Sequence, residues 1–477
     1  MRLRFLYNAG VVVLLNLTVK PLWIFAIDRQ VQNTAGPEAY GAYYTLLNLS
    51  LLLSALLDAG MSNYNTRKVA MEASGHRFDI GHFLGLKSLL FLAYLVISSL
   101  LVLLSGQAWH WLLLLIMLNQ GIHFLNVFLR SYLAGLQQFK TEGFFGVLDK
   151  LLMTALAWPL LWGVHYLSGD LITDFVWVQT LAYGFTCLAL LWRLRPHAQL
   201  AWHFSLRKSA YWLRQSYPFA LLGILMAGYT KLDAVLLARW ANDGHLAVGM
   251  YAAGYRLLDA ASMVPILVSG ILLPQFAAML ANRQLEPAFV RTAALLLGGL
   301  GSLVAAVCYF QADWIMNLLY HHHTPEQTRV FQWLMWSFLP LSLNYVFGTL
   351  LTAGGQMKLL NGLAASALLL NVGLNAWLIP LHGAEGAAWA ALITQSFMAM
   401  AQLSAAWKTH AWLADSSFLI RLLLWMFTLL GLCLWWPLPP AWGSLLAQAL
   451  AGTVLLLLLF GQPFYTRISM ILKGRFS

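Results

Sequence analysis

The sequence predicts an all-α integral membrane protein of about fourteen transmembrane helices, built as a repeated bundle. Three observations carry that expectation: the composition, the length of the apolar runs, and an internal repeat. Of the 477 residues, 60% are hydrophobic and 9% charged, against roughly 25% charged in soluble domains. The mean hydropathy of +0.70 is a membrane value. This excludes a soluble globular domain, a disordered chain, a disulfide scaffold and a nucleic-acid binder. Cys187, Cys308 and Cys433 all sit in apolar runs, so neither a disulfide nor a metal framework is indicated.

A hydrocarbon core needs about 20 apolar residues per helical crossing. Runs of that kind occupy about 9–27, 42–62, 84–105, 111–135, 145–167, 172–192 and 216–238. They continue at about 248–280, 289–311, 330–352, 357–379, 384–406, 418–437 and 442–461. The first follows Met1-Arg2-Leu3-Arg4, a basic start like that of a signal peptide. Lys20-Pro21 interrupts the run and no small-residue cleavage site follows, so it is read as a retained helix. The eighth run is long for one crossing and contains Pro265 and Pro274, which predicts a kink or an extension into the cytosol. Pro159 and Pro340 mark further expected kinks. Tryptophans such as Trp109, Trp111, Trp435 and Trp436 sit near run ends, as interfacial belts do.

Orientation follows from the basic residues. With the N-terminus in the cytoplasm, seventeen lysines and arginines fall in inner segments, and only Arg29, Arg239 and Arg329 in outer ones. The asymmetry predicts that both termini are cytoplasmic. The formal net charge of +11 then faces anionic membrane lipids, and no nucleic acid is needed to explain it. The longest inner loop, 193–215, is the expected linker between an N-lobe (1–192) and a C-lobe (216–406), with 407–477 following. No Gly-x-x-x-x-Gly-Lys-Ser/Thr phosphate loop is present, so any work must be driven by an ion gradient, the membrane potential or a solute gradient.

The repeat is short but in register. At a constant offset of 208, Gly36, Ala39, Gly41 and Tyr43 meet Gly244, Ala247, Gly249 and Tyr251, and Leu49 and Ser54 also find their like. The two helices lie six crossings apart and run the same way, which predicts a parallel repeat about an axis along the membrane normal. The same offset sends Lys20 to position 228, three residues from Lys231. Each lobe therefore places a lysine at nearly the same depth, and the two are expected to face a common central cavity.

Charges inside the runs are the candidate chemistry. Lys20, Lys87, Arg130, Lys150, Lys231 and Arg256 are accompanied by Asp58, Asp149, Asp233 and Asp259. A charge at a helix centre costs about 2.5–3.5 kcal/mol even on the lenient insertion scale, so these groups must face each other, water or a ligand. Arg256 and Asp259 are i, i+3 neighbours, and a salt bridge within the helix competes with a ligand role. Lys87, Asp149 and Lys150 lie near helix ends and read as snorkelling or structural groups. Asp58 and Arg130 fall near inner helix ends, where they would line or anchor a gate. Lys20 and Lys231 have no carboxylate partner on their own helix face, and Pro21 beside Lys20 frees backbone carbonyls near a transport-type site. His321-His322-His323 reads as a solvated outer loop rather than a metal site. The glycosylation-like Asn16-Leu-Thr18 and Asn48-Leu-Ser50 lie inside spans.

Some of these residues resemble a known family. Gly36-Pro-Glu-Ala-Tyr-Gly-Ala-Tyr43, Leu57-Asp58-Ala-Gly60 and Arg67 resemble the start of the polysaccharide-transporter branch of the multidrug/oligosaccharidyl-lipid/polysaccharide (MOP) flippase superfamily, which includes O-antigen flippases. Asp233, Gly249-x-Tyr251 and Pro265 fit its second lobe, and Gly383-Ala-Glu-Gly386-Ala-Ala its twelfth helix. The resemblance implies two pseudo-symmetric six-helix lobes around a central cavity, with 418–461 as an added C-terminal helix pair. It further implies a bacterial inner-membrane protein that moves undecaprenyl-pyrophosphate-linked oligosaccharide between leaflets, as O-antigen or exopolysaccharide repeat units. A pyrophosphate needs cations in the cavity. Lys20, Lys231, Arg256 and Arg130 are the expected headgroup residues, while Asp58, Asp233 and Asp259 are expected to gate, to couple ions, or to pair with the cations when substrate leaves. Asn344, Tyr345 and Asn371 are expected sugar contacts. No cofactor is implied beyond coupling to H+ or Na+, and a polysaccharide polymerase is an expected partner. A lipid II flippase, a multidrug antiporter and a non-transporting scaffold of a glycan assembly complex remain alternatives.

Overall fold

A computed structural model of the chain describes residues 15–409, apart from 59, 63–64, 67–68, 70–77, 105–110, 163–168, 200–204, 284 and 322, together with Trp425, Gly443 and Ala451. The basic start, Arg67, Lys68 and Arg77, His322, and nearly all of the expected helix pair at 418–461 with its tail lie outside the described residues.

The described residues open with α1 (residues 15–35), whose middle widens into a π-helical turn over Trp23–Asp28. The turn lies just after Pro21, the proline expected to free backbone carbonyls. Pro21 has no N–H to give the carbonyl of Leu17, and the loosened ladder downstream closes through longer bonds such as Arg29 N–H to Ile24 O. Gly36 (φ 83°, ψ 161°) ends α1, and Pro37 at the first helical position starts α2 (Pro37–Leu52), which resumes after a turn as Ala55–Asp58. There follow α3 (Ile80–Leu104), α4 (Trp111–Gly135), α5 (Phe139–Trp162, with Pro159 inside), α6 (Leu171–Leu194) and α7 (Leu206–Trp240). The Asp170 side chain accepts from the N–H groups of Ile172 and Thr173 and so caps α6. Two-residue strands, β1 (Phe78–Asp79) and β2 (Ala198–Gln199), pair in parallel.

Next come α8 (Gly244–Ala281), α9 (Pro287–Phe310), the short α10 (Ala312–Leu319), α11 (Pro325–Trp336), α12 (Phe338–Ala353) and α13 (Met357–Thr409). The eighth run is one continuous helix through Pro265 and Pro274. At 38 residues it spans about 57 Å, well beyond a hydrocarbon core of about 30 Å. The tenth run instead splits at Ser337, because Pro340 cannot donate to the Trp336 carbonyl. Within α13, Gly383 (φ 54°, ψ −129°) separates two helices, matching the eleventh and twelfth runs. Among the described residues, ten helices are long and apolar enough to cross a membrane, so the chain is a multi-pass membrane protein. Leu92, Val96, Leu100 and Leu103 form an exposed stripe on α3, and Leu181, Phe185, Leu188 and Trp192 form one on α6. These apolar faces suit lipid.

The chain divides into two compact units, Met1–Arg239 with Asp243–Gly249, and Trp240–Asn242 with Met250–Ser477. In the first unit, Phe83, Phe128, Leu129, Tyr132 and Leu190 bury one core, and Leu57, Tyr94, Leu113 and Met117 another. The start of α2 also meets the first turns of α8 at a reciprocal crossing. A Cβ on Gly41 would stand 1.8 Å from the His245 carbonyl oxygen, and one on Gly249 would stand 1.9 Å from that of Pro37. The two glycines, and likewise the two carbonyls, are related by the offset of 208, so the repeat seen in sequence is also a local two-fold contact. Gln32 Nε2 donates to Gly249 O (2.9 Å) and closes the crossing. In the second unit, α9, α12 and α13 bury Leu295, Leu303, Val346, Phe347 and Ala406, with Trp425 Nε1 donating to Ser302 Oγ (2.8 Å).

Candidate functional site

Five charged side chains of the first unit, Lys20, Arg130, Glu142, Asp149 and Lys150, converge on one region between α1, α4, α5 and α6. On α4, Asn119, His123, Asn126 and Arg130 recur at helical spacing and form a polar stripe down one face. Asn119 Nδ2 donates to Val176 O (3.2 Å) and Asn126 Nδ2 to Tyr183 O (3.0 Å), which pins the stripe against α6. The His123 ring lies 5.2 Å from that of Tyr183.

On α5, Glu142, Gly146, Asp149 and Lys150 occupy the facing side. Arg130 Nε donates to Glu142 Oε1 (3.1 Å), and Nη2 reaches the same oxygen. The guanidinium lies on Gly146, where a Cβ would stand 2.6 Å from Nη2. Lys150 Nζ donates to the Tyr183 hydroxyl (3.2 Å), stands 3.7 Å from Asp149 Oδ2, and lies 5.6 Å from the Trp23 ring centroid. Lys20, half-buried on α1, interacts electrostatically with Arg130, Asp149, Lys150 and Glu142.

Three cations thus face two carboxylates inside the membrane-spanning region, with His123 beside them. The π turn after Pro21 carries Trp23 over to stack on Phe175 (5.7 Å) beneath Lys150. Asp28, at the end of that turn, is buried and accepts from the Tyr40 hydroxyl (2.8 Å). Gln179 Nε2 donates to Tyr43 Oη (3.0 Å). The cluster therefore offers positive charge, hydroxyls and aromatic faces together. Positive charge flanked by hydroxyl groups attracts anions, and among the described residues no group of three or more His, Cys, Asp or Glu is placed to hold a metal ion.

Of the expected headgroup residues, Lys20 and Arg130 come together here. Lys231 stands half-buried on α7, two residues from buried Asp233, so the two do not share a face. Arg256 and Asp259 lie in the second unit, 3.9 Å apart on one turn of α8. Asp58 is held by Lys87 Nζ (3.2 Å), which also donates to Leu57 O (2.6 Å), and by the Ser62 hydroxyl. Asn344 Nδ2 donates to Gln395 Oε1 (2.9 Å), and Tyr345 interacts electrostatically with Asp259. Asn371 is fully buried, donating to Thr394 Oγ1 (3.4 Å) and accepting from Asn375 Nδ2 (3.1 Å).

Sequence reasoning passed over His123, Glu142, Gly146 and Tyr183. The α4 stripe was visible as polar residues at i, i+4, i+7 and i+11 within an apolar run. Nothing local marked Glu142, which reads as an ordinary acidic residue in a first helical turn.

The model of the polysaccharide biosynthesis protein family matches residues 6–280. The chain belongs to that family. No curated protein sequence matches this member of the polysaccharide biosynthesis family. Among solved structures, it is similar to the lipid II flippase MurJ in an inward closed conformation, at 16% identity and a TM-score of 0.70 over 98% of this chain and 99% of that one. It is also similar to an inward-facing multidrug-resistance MATE transporter of the MOP superfamily, at 14% identity and a TM-score of 0.63 over 84% and 98% of the two chains. A MOP-superfamily transporter from Pyrococcus furiosus, described as having a binding pocket of reversed polarity, matches at 14% identity and a TM-score of 0.59 over 86% and 96%. The family member therefore has the MurJ- and MATE-like fold of the MOP superfamily.

Proposed function

We propose that this protein is a flippase, carrying a polyprenyl-pyrophosphate-linked oligosaccharide across the bacterial inner membrane by alternating access. The substrate class is an undecaprenyl-pyrophosphate-linked O-antigen or exopolysaccharide repeat unit. The observation that carries this reading is the cluster of Lys20, Arg130 and Lys150 within the membrane-spanning part of a polysaccharide-family chain. A pyrophosphate crossing a low-dielectric region needs paired charge, and Arg130 with its planar fork suits phosphate oxygens. Lys231 and Arg256 extend the cationic set, while Asn344, Tyr345 and Asn371 serve the sugar. Asp58, Asp233 and Asp259 gate the cycle, which is coupled to H+ or Na+. No bond is made or broken, so the activity is transport and not catalysis.

The test is flipping of undecaprenyl-pyrophosphate-linked oligosaccharide in proteoliposomes, with wild type beside Lys20→Ala and Lys231→Ala. Loss of transport in both variants is the expected result. Uptake of cationic dyes without glycolipid movement would instead assign a multidrug antiporter. Unchanged glycan assembly in cells carrying both substitutions would assign a scaffold, in a complex with the polymerase. The likeness to MurJ over nearly the whole chain favours one second reading, a lipid II flippase. Lipid II offered beside the oligosaccharide substrate separates the two.

A further inference from the structure

Glu142 has a place in the cycle that its pairing with Arg130 defines. We infer that Glu142 is an internal stand-in for substrate phosphate: it occupies the Arg130 fork in the empty carrier and is displaced when an anionic headgroup arrives. The inference rests on the anionic-headgroup reading of this cluster and adds a residue that sets its affinity.

Three features of the pair support it. The first is geometry. Arg130 presents both Nε and Nη2 to one carboxylate oxygen, and its guanidinium lies against Gly146, one turn further along α5. The missing side chain at Gly146 leaves room for the guanidinium at this spot, where a Cβ would push it aside. Phosphate oxygens accept the same two donors that the carboxylate takes.

The second is access. The side chains of Arg130 and Glu142 keep 26% and 20% of their surface open. By contrast Lys87, in the Lys87–Asp58 pair, keeps 8% and also donates to the Leu57 carbonyl. The two carboxylates are about equally open, Asp58 at 19%; the difference lies in the cations, Arg130 being the more open and Lys87 held at two points. The third is the fate of the displaced carboxylate. Glu142 stands in the first turn of α5, where the helix N-terminus stabilises negative charge without Arg130. It is also within electrostatic reach of Lys20, as is Arg130. Release from Arg130 therefore leaves no isolated charge, and return of Glu142 after substrate departs restores the empty state.

The basic inner loops put the end of α4 and the start of α5 on the cytoplasmic side, where a lipid-linked substrate made inside arrives. A stand-in at that point weakens substrate binding and speeds release. A merely structural ion pair would do neither.

The test is binding of geranylgeranyl pyrophosphate, with geranylgeraniol as the uncharged control, to the full chain in phosphatidylcholine nanodiscs. Wild type is compared with Glu142→Gln, Arg130→Gln and the double variant, and melting temperatures confirm folding. Glu142→Gln keeps an oxygen for Arg130 to donate to and removes only the competing charge. The expected result is roughly threefold to tenfold tighter pyrophosphate binding through slower dissociation, unchanged prenol binding, and no gain in the Arg130→Gln background. If wild type prefers the pyrophosphate but Glu142→Gln binds it no more tightly, the stand-in role is overturned and the headgroup reading survives. If wild type does not distinguish pyrophosphate from prenol, the headgroup reading itself fails. Glu142→Asp, which withdraws the carboxylate by one methylene, is expected to shift affinity the same way and replaces the amide variant should that variant not fold.

Discussion

Replacing Gly249 by alanine tests the reciprocal crossing of α2 and α8. The new Cβ would stand 1.9 Å from the Pro37 carbonyl oxygen, and ordinary contact begins at 3.4 Å, so the backbones must part by up to 1.5 Å. Backbone cannot rotate away as a side chain can. Overpacking of this kind costs about 1–3 kcal/mol. Parting the helices also breaks the bond from Gln32 Nε2 to Gly249 O and leaves a buried amide unpaired, which costs about 1–3 kcal/mol more. For a chain of this length a loss of about 3 kcal/mol corresponds to a fall of roughly 3–6 °C in melting temperature. Gly41→Ala should do much the same, because its Cβ meets His245 O at 1.8 Å. The two substitutions should combine less than additively, since either one opens the shared contact. Gly184→Ala is the control: nothing lies within 4 Å of its added Cβ, and alanine is the better helix former by about 1 kcal/mol. The assay is thermal unfolding of purified protein in detergent followed by intrinsic tryptophan fluorescence. Melting of Gly249→Ala within about 1 °C of wild type would refute the close crossing.

Three further outcomes follow from the ion pairs. Lys87→Met strands Asp58 in a buried setting and should destabilise by about 3–5 kcal/mol, whereas the double change with Asp58→Leu should recover much of that; melting temperatures of the three variants decide it. Tyr183→Phe removes the hydroxyl that accepts from Lys150 and should weaken prenyl-pyrophosphate binding severalfold, about 1 kcal/mol, with melting little changed; titration calorimetry beside a melting curve separates the two effects. Arg329→Ala breaks a pair with Glu385 in which Arg329 keeps 51% of its surface open, and the expected change in unfolding is under about 1 kcal/mol.

Much of the fold was legible in the linear sequence, for particular reasons. The apolar runs at 84–105 and 111–135 returned as α3 and α4 with nearly the same limits, because bilayer thickness dictates a run length that composition alone reveals. The glycine offset returned as a two-fold contact between Gly41 and Gly249, since close helix approach demands small residues at specific positions. Other boundaries shifted where one local group intervened: α2 starts at Pro37 because Gly36 turns the chain, and the tenth run breaks at Ser337 because Pro340 lacks a donor.

The site was less legible. Lys20 and Arg130 were recognisable as costly charges in apolar runs, yet their neighbours were not. Arg130 takes Glu142, twelve residues away, and Lys87 takes Asp58, twenty-nine away. Lys150 passed for a snorkelling residue until α6 placed the Tyr183 hydroxyl against it.

The sequence by itself determined that this chain crosses the membrane many times, that a short glycine and tyrosine motif recurs at an offset of 208, and that it must satisfy several cations within its spans. Each of those follows from local composition and spacing. Only the tertiary structure decided which helix faces meet, and hence that Arg130 rests on Gly146 and pairs with Glu142 while leucines and phenylalanines on α3 and α6 point outward. Lipid is as apolar as a protein interior, so hydrophobicity along a membrane helix does not mark the side that faces its neighbours. That choice is made by close packing and by buried polar pairs, which exist only once the helices are assembled.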